Sequence, residues 1–249
     1  MAAFLLLHGA WHGAWCWEPL ARLISPEHHV VAPDLPGSSR ATADAAGRFG
    51  LGDHIAAAVD ALDGIGRDDV IVVAHSYAGM LARAIEGLRP DRLAHVCYIE
   101  ALLPQPGQAV LDLVPEAARA SFLTGLRERS DGPVLLPPDV YRFAIPDTLL
   151  AEEIALRLLP QPYRTFSEPL PFPVSRRPRA IARTYVFASD RNPNPYQRFI
   201  DELRADAMCR VVGLAGGHEL TLTRPGEMAN LLLDIAIRRN AKHHDLIPN

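Results

Sequence analysis

The feature that most constrains the fold is an apolar run, residues 70–74 (VIVVA), that leads directly into His75 and Ser76. Four of its five residues are β-branched, and none is polar, which indicates a strand covered on both faces, as in a parallel sheet. A helical pattern follows at once over residues 77–87. This order of strand, serine and helix predicts a sharp turn that presents the Ser76 hydroxyl above the sheet.

The same alternation of strands and helices occupies both ends of the chain. It predicts an α/β protein with a doubly wound, mostly parallel sheet and helices on both faces. Strands are predicted at residues 3–7, 30–32, 93–99, 184–188 and 209–214, and helices at residues 17–24, 53–65, 196–207 and 225–239.

The composition changes between residues 103 and 179, which hold 13 of the 22 prolines. Because proline fixes φ and lacks an N–H donor, this stretch cannot continue the sheet regularly. Helical spacing remains at residues 109–128 and 148–158. We therefore predict a core formed by residues 1–102 and 183–249, with a mainly helical, proline-rich cap inserted at residues 103–182.

Ser76 is the predicted nucleophile. A strand–serine–helix turn of this kind usually has glycine two residues before and two residues after the serine, whereas this chain has Ala74 and Ala78. Each alanine adds only one methyl group, and Gly79 leaves the next turn open. The simpler alternative is a serine that only caps the following helix. The strand and helix on either side favour the nucleophile.

A serine nucleophile needs a base and a carboxylate that orients it. His218 follows the strand predicted at residues 209–214, at the edge where such sheets place their sites. Asp190, the first carboxylate after the strand at residues 184–188, is the preferred acid. Glu100, directly after the strand at residues 93–99, is the alternative, and Asp190 would then be an ordinary turn residue.

The other candidate groups come from residues 8–13, called the early loop below, and from the turn at Ser76. We expect the backbone N–H groups of Ala10 and Tyr77 to form an oxyanion hole. Trp11 and His75 are candidates for substrate contact, with packing under the cap as the alternative. His8 and His12 are spaced as His-x3-His, but no third ligand stands nearby in the sequence, so we expect no metal site.

The composition excludes several classes of function. With 25 basic and 29 acidic residues the net charge is −4, which argues against nucleic-acid binding. Three separated cysteines exclude a disulfide framework and a thiolate zinc site and are typical of a reducing compartment. No signal or membrane segment is evident, so we predict a cytoplasmic protein without a membrane partner. The expected partner is a small-molecule ester. The oligomeric state stays open, with a homodimer as one option.

Five segments of the chain form a recognisable set: residues 8–17 (HGAWHGAWCW), the Asp34-Leu35 turn, the Ser76 turn, Ser189-Asp190 and Gly217-His218. Together they resemble the α/β-hydrolase superfamily, and in particular the plant methyl esterase and hydroxynitrile lyase group with its bacterial esterase relatives. The resemblance implies a cofactor-free serine esterase that cleaves a small apolar carboxylic ester, such as a methyl ester or lactone, through a Ser-His-Asp triad and an acyl-enzyme.

The chain departs from the hydroxynitrile lyases at two positions. Those enzymes have a threonine after the histidine of the early loop and a lysine next to the catalytic histidine, whereas this chain has Gly9 and Glu219. A glutamate cannot stabilise a departing cyanide, so ester hydrolysis is favoured. We expect Glu219 to be a salt-bridged surface residue. The alternatives are a lyase, isomerase or cyclase of secondary metabolism, or a ligand-binding receptor on the same scaffold.

Overall fold

The computed structural model describes residues 1–171 and 181–244. Within them, six parallel strands form one sheet in the order β2-β1-β3-β4-β8-β9, and three short antiparallel strands form a second sheet in the order β5-β6-β7. The nine strands are β1 (Ala3–Leu7), β2 (His29–Val31), β3 (Val70–His75), β4 (Leu93–Ile99), β5 (Leu126–Arg127), β6 (Val134–Leu135), β7 (Gln161–Pro162), β8 (Ala182–Ala188) and β9 (Cys209–Leu214).

Ten α-helices lie within the same described ranges. They are α1 (Glu18–Ile24), α2 (Leu51–Gly64), α3 (Gly79–Leu88), α4 (Val110–Leu113), α5 (Glu116–Thr124), α6 (Thr148–Arg157), α7 (Arg164–Ser167), α8 (Gln197–Arg204), α9 (Leu220–Thr223) and α10 (Pro225–His244). None of the helices in this part of the chain is both long and apolar enough to cross a membrane.

The central strands are apolar on both faces because successive side chains point to opposite sides of the sheet. Phe4 and Leu6 of β1 lie in a cluster with Leu20 of α1 and Leu232 of α10. Leu5 and its neighbours on the other face lie in a cluster with residues of α2 and α3. The predicted α/β class with a doubly wound sheet is therefore confirmed, and every strand pair of the main sheet is parallel.

The segment between β4 and β8 differs from the predicted arrangement of helices. The single helix expected at residues 109–128 is two short helices, α4 and α5, because Val114 precedes Pro115 and takes an extended conformation. The segment also contains the small antiparallel sheet. Residues 172–180 of the predicted cap and residues 245–249 of the predicted core lie outside the described residues, and the domain boundaries stay a prediction.

Hydrogen bonds attach this segment to the loops around the main sheet. The Asp131 carboxylate accepts the Gly47 N–H at 2.7 Å, and the Glu168 carboxylate accepts the Leu51 N–H at 2.7 Å at the start of α2. The N–H of Leu159 donates to the Trp11 carbonyl at 2.9 Å. The inserted segment is thus held over the carboxyl ends of the strands, where the predicted site residues lie.

Candidate active site

Ser76 stands in the turn between β3 and α3, in a constrained backbone conformation. Its φ is +55°, in the left-handed region that a non-glycine residue adopts only under constraint. Two features constrain it. A 3-10 turn (Ser76–Ala78) joins the strand to the helix, and the Ser76 carbonyl accepts the Leu102 N–H at 3.1 Å. The hydroxyl is thereby projected from the carboxyl end of the sheet.

Close packing around this turn explains which small residues it needs. Ala74 and Ala78 are fully buried, and their methyl groups are accommodated. A methyl group on Gly79, in contrast, would overlap the carbonyl oxygen of Leu102. A methyl group on Gly9 would stand 3.2 Å from Cβ of Ser76, so the early loop packs directly against the serine.

His218 contacts Ser76 through a hydrogen bond. Its Nε2 lies 3.0 Å from the Ser76 Oγ, across 142 residues of sequence. The loop after β9 is held by the inserted segment, because the His218 N–H donates to the Phe143 carbonyl at 2.8 Å. A side chain at Gly217 would overlap the carbonyl oxygen of Ala144, so the contact requires glycine there. The imidazole ring also stacks on the rings of Phe143 and Tyr196, whose centroids are 5.9 and 5.8 Å away.

The carboxylate next to the imidazole belongs to Glu100. Its Oε2 lies 3.3 Å from Nδ1 of His218, and its Oε1 accepts the Ala188 N–H at 2.8 Å. Glu100 is fully buried at the end of β4, with φ at +45°. Since Nδ1 faces a carboxylate, it carries the ring proton, and Nε2 is left to accept the Ser76 proton.

Arg191 shares this carboxylate. Its Nη1 lies 2.6 Å from Oε2 of Glu100 and 3.3 Å from Nδ1 of His218, so two donors converge on one oxygen. Burial by itself would raise the pKa of Glu100. The contacts with His218 and Arg191, together with the Ala188 N–H, outweigh burial and hold that pKa below its usual value. The carboxylate is therefore ionised at neutral pH.

The structure does not bring Asp190 to the imidazole, which corrects the preference for it over Glu100. Asp190 is exposed, and its carboxylate contacts the neighbouring Ser189 hydroxyl at 3.4 Å. It lines a separate outer groove. The inward position of this loop is taken by Arg191, and Glu100 already occupies the space beside Nδ1 of His218.

The residues predicted for the oxyanion hole, and Trp11 predicted for substrate contact, lie in the early loop and in the serine turn. Ala10 follows Gly9 in the loop that packs against Ser76, and Tyr77 follows Ser76 directly. Trp11 lines the cavity at Ser76, and its backbone N–H donates to the side-chain oxygen of Gln161 at 3.0 Å.

His75 does not line that cavity, contrary to the prediction of substrate contact. It is fully buried, and its Nε2 donates to the His218 carbonyl at 3.0 Å. Burial lowers the pKa of His75 to about 4, so the ring is neutral at neutral pH. His75 therefore lies outside the cavity, and its hydrogen bond holds the loop that carries His218.

Glu219 is fully buried rather than a surface residue, which corrects another expectation. Its Oε2 lies 3.6 Å from Nε2 of His12, and no hydrogen bond to either carboxylate oxygen comes from residues 1–171 or 181–244. Burial favours a raised pKa for Glu219, but the surrounding histidines, His12 foremost, hold it below its usual value.

Potential metal ligands do meet here, since His75, His218 and Glu219 bring ligand atoms within 4.8 Å of one another. We assign no metal to them, because both ring nitrogens of His218 already face Ser76 and Glu100. The rest of this group, Nδ1 of His75 and the Glu219 carboxylate, provides two ligands, fewer than the three that a protein zinc site uses.

Ser76 and His218 open into a cavity of about 230 Å³. Its wall is mostly apolar and comes largely from the inserted segment, while Arg142, Arg191 and Tyr196 are polar residues in the lining. The apolar lining residues are Trp11, Leu102, Leu113, Val114, Pro115, Ala118, Phe122, Pro138, Phe143 and Pro195.

Sequence reasoning missed Arg191, Tyr196 and Phe143. For Glu100 there was a usable signal, because a carboxylate at the end of a mostly apolar central strand is buried and needs charged or hydrogen-bonding partners. Arg191 lies on a loop rich in turn residues, and Phe143 lies in the proline-rich insertion. Neither has a pattern that reveals its contact.

Comparisons with known proteins show the family of this chain. Residues 4–231 match the alpha/beta hydrolase family. The chain belongs to this family. Its similarity to a carbendazim hydrolyzing esterase of Nocardioides sp. (strain SG-4G) is 26% identity over 242 residues, covering 93% of this chain and 98% of the relative. Methylesterase 7 of Arabidopsis thaliana is 25% identical over 251 residues, covering 94% and 95%.

A solved structure supports the fold independently. An extracellular alpha/beta-hydrolase from a Paenibacillus species superposes with a TM-score of 0.77 at 20% identity, covering 94% of this chain and 99% of the other. The predicted relationship with plant methylesterases and bacterial esterases is therefore confirmed.

Proposed function

We propose that this alpha/beta hydrolase is a serine esterase that cleaves a small, largely apolar carboxylic ester through Ser76, His218 and Glu100. The observation that carries the proposal is the unbroken series of contacts from Oγ of Ser76 to Nε2 of His218 at 3.0 Å and from Nδ1 to Glu100 at 3.3 Å. The relatives named as esterases support the same reaction class.

In the proposed mechanism the Ser76 Oγ attacks the ester carbonyl while Nε2 of His218 accepts the serine proton. Glu100 keeps the remaining ring proton on Nδ1 and stabilises the imidazolium. The N–H groups of Ala10 and Tyr77 bind the oxyanion of the tetrahedral intermediate. The imidazolium then protonates the departing alcohol, and a water molecule releases the acid by the same steps in reverse order.

The cavity supports a small substrate. At about 230 Å³ it is smaller than the ~300–1,000 Å³ of typical sites for drug-sized ligands. Apolar walls such as Leu113 and Phe122 suit an aliphatic or aromatic acyl group. A methyl ester or a lactone therefore fits the site better than a long-chain lipid.

The test is the Ser76→Ala variant, assayed on p-nitrophenyl acetate and on esters of graded acyl and alcohol size. A fluorophosphonate probe, followed by peptide mapping, identifies the nucleophile independently. We expect the probe to label Ser76 in the wild type, and we expect the variant to lose both labelling and turnover while keeping its circular dichroism spectrum. Turnover near the wild-type rate in Ser76→Ala would refute the proposal.

Assays on the same purified protein distinguish the hydrolase from a lyase, isomerase or cyclase and from a ligand-binding receptor. Hydrolysis in H₂¹⁸O places one solvent oxygen in the released acid, whereas a lyase, isomerase or cyclase leaves the product unlabelled. Tight binding of a carboxylic acid without turnover would indicate a receptor. The assembled Ser76–His218 hydrogen bond favours the hydrolase over that receptor.

A further inference from the structure

Tyr196 lies against the proposed active site although nothing in the sequence indicated it. It precedes α8, and its N–H donates to the Asn194 side chain at 2.9 Å, which fixes the start of the helix. Its ring is parallel to the His218 imidazole, with an interplanar angle of 1° and centroids 5.8 Å apart. The guanidinium carbon of Arg191 lies 5.8 Å from the centre of the same ring. The ring is therefore held in one orientation beside the imidazole.

The side chain of Tyr196 lies next to the nucleophile. Tyr196 and Ser76 line the same cavity, and the Tyr196 phenol is close enough to the Ser76 side chain for the two to interact. Burial is the main influence on the Tyr196 phenol and raises its pKa, so the hydroxyl keeps its proton over the whole range in which an esterase is assayed. It is a neutral hydrogen-bond donor next to the reacting atoms.

Which oxygen of the ester Tyr196 can contact depends on the side of Ser76 on which it lies. The loop of Gly9 and Ala10 packs against Ser76 and is the side proposed for the oxyanion. Tyr196 stacks on His218, so its ring is on the histidine side. The alkoxy oxygen of the ester must be on that side too, because Nε2 of His218 has to give it a proton.

We propose that Tyr196 is a catalytic residue whose hydroxyl donates a hydrogen bond to the leaving-group oxygen of the ester. This inference rests on the proposed esterase function. When the tetrahedral intermediate collapses, the bond between the carbonyl carbon and the alkoxy oxygen breaks, and that oxygen takes a proton from Nε2 of His218. Tyr196 keeps its own proton throughout and stabilises the negative charge that develops on the departing oxygen.

The experiment compares the Tyr196→Phe variant with the wild type on two esters of one acid, p-nitrophenyl butyrate and ethyl butyrate. The phenylalanine keeps the ring that stacks on His218 and removes only the hydroxyl. We measure kcat/KM because it reports acylation, the step in which the alcohol leaves. The expected loss is about tenfold on the ethyl ester, the size of one hydrogen bond to a developing charge, and less than about twofold on the p-nitrophenyl ester. A nitrophenolate needs little help to depart.

Tyr98→Phe is the matched control. It removes another buried tyrosine hydroxyl, which lies near Glu86 and away from the cavity, and we expect unchanged kcat/KM on both esters. Circular dichroism and the thermal midpoint of each variant verify folding.

An equal loss on both esters would assign Tyr196 a structural role and overturn the inference, and so would unchanged kinetics on both. These outcomes are separate from a failure of the esterase proposal, which would appear as turnover in Ser76→Ala.

Discussion

The Glu100 carboxylate lies 3.3 Å from Nδ1 of His218 although 118 residues separate the two positions in the chain. Glu100 directly follows β4, and the neighbouring β8 strand leads into the loop that carries Asp190 and Arg191. The structure thus places a carboxylate at the end of one strand and a cation at the end of the next. Because the carboxylate and the cation lie on different loops, each can be substituted without changing the other.

The first prediction distinguishes the two candidate acids. Glu100→Gln should reduce kcat by on the order of 10²–10⁴, because the amide neither fixes the imidazole tautomer nor stabilises the imidazolium. Asp190→Asn is the matched control, and its turnover should stay within about twofold of the wild type, since the exposed carboxylate contacts the Ser189 hydroxyl rather than the imidazole. Steady-state kinetics on p-nitrophenyl acetate measure both. The reverse ranking would return the acid role to Asp190.

The second prediction concerns the cation on the carboxylate. In Arg191→Gln the pKa of Glu100 rises, because a positive charge 2.6 Å from its Oε2 has been removed. Glu100 then takes up a proton at a higher pH, and the acidic limb of the kcat/KM profile moves to higher pH. Arg191→Lys, which keeps the charge, should move the limb less.

Arg198→Gln provides the control for that profile. Arg198 lies on α8 with its guanidinium over Phe199 rather than over the site. Its removal should leave the acidic limb in place. An unchanged or downward-shifted limb in Arg191→Gln would mean that Arg191 does not act on the carboxylate.

The third prediction concerns stability against pH. Burial lowers the pKa of His8 to about 3 and the pKa values of His54 and His75 to about 4, against about 6.5 in an unfolded chain. Between pH 6.5 and 4 the unfolded state therefore binds protons that the native state does not. The free energy of unfolding must fall as the pH drops through this range, by at most about 1.4 kcal/mol per pH unit for each histidine.

His54→Gln tests this linkage. It removes one buried titrating ring, which contacts Tyr77 and the Pro36 carbonyl. We expect lower stability at pH 7.5 and a shallower decline toward pH 5, measured by urea unfolding at each pH. His29→Gln, at an exposed position, should keep the wild-type slope. A wild-type slope in His54→Gln as well would show that this histidine does not titrate on unfolding.

The fourth prediction concerns the turn at the nucleophile. Gly79→Ala should destabilise the protein by about 1–3 kcal/mol and reduce turnover, because the new methyl group overlaps the Leu102 carbonyl and displaces the Ser76 turn. Gly52→Ala, in α2 where the methyl group meets open space, should instead stabilise the protein by about 0.5–1 kcal/mol. Thermal unfolding distinguishes the two. Equal midpoints would show that the turn tolerates a larger residue.

The sequence determined the six strands of the main sheet, their alternation with helices and the place of Ser76 between a strand and a helix. These features depend on local patterns: an unbroken apolar strand, a helix that starts at once, and prolines that interrupt the sheet. Such patterns bias each segment independently of its neighbours. The helix expected at residues 109–128 failed for an equally local reason, the proline at position 115.

Only the tertiary structure decided which carboxylate meets the imidazole. β4 and β8 are adjacent parallel strands, so Glu100 and Asp190 both follow strand ends at the same edge of the sheet, and the sequence could not rank them by position. Side-chain packing made the choice, since Arg191 occupies the inward position of its loop and Tyr196 covers the imidazole face. Contacts of this kind depend on ångström-scale distances between residues far apart in the chain, and no local pattern encodes them.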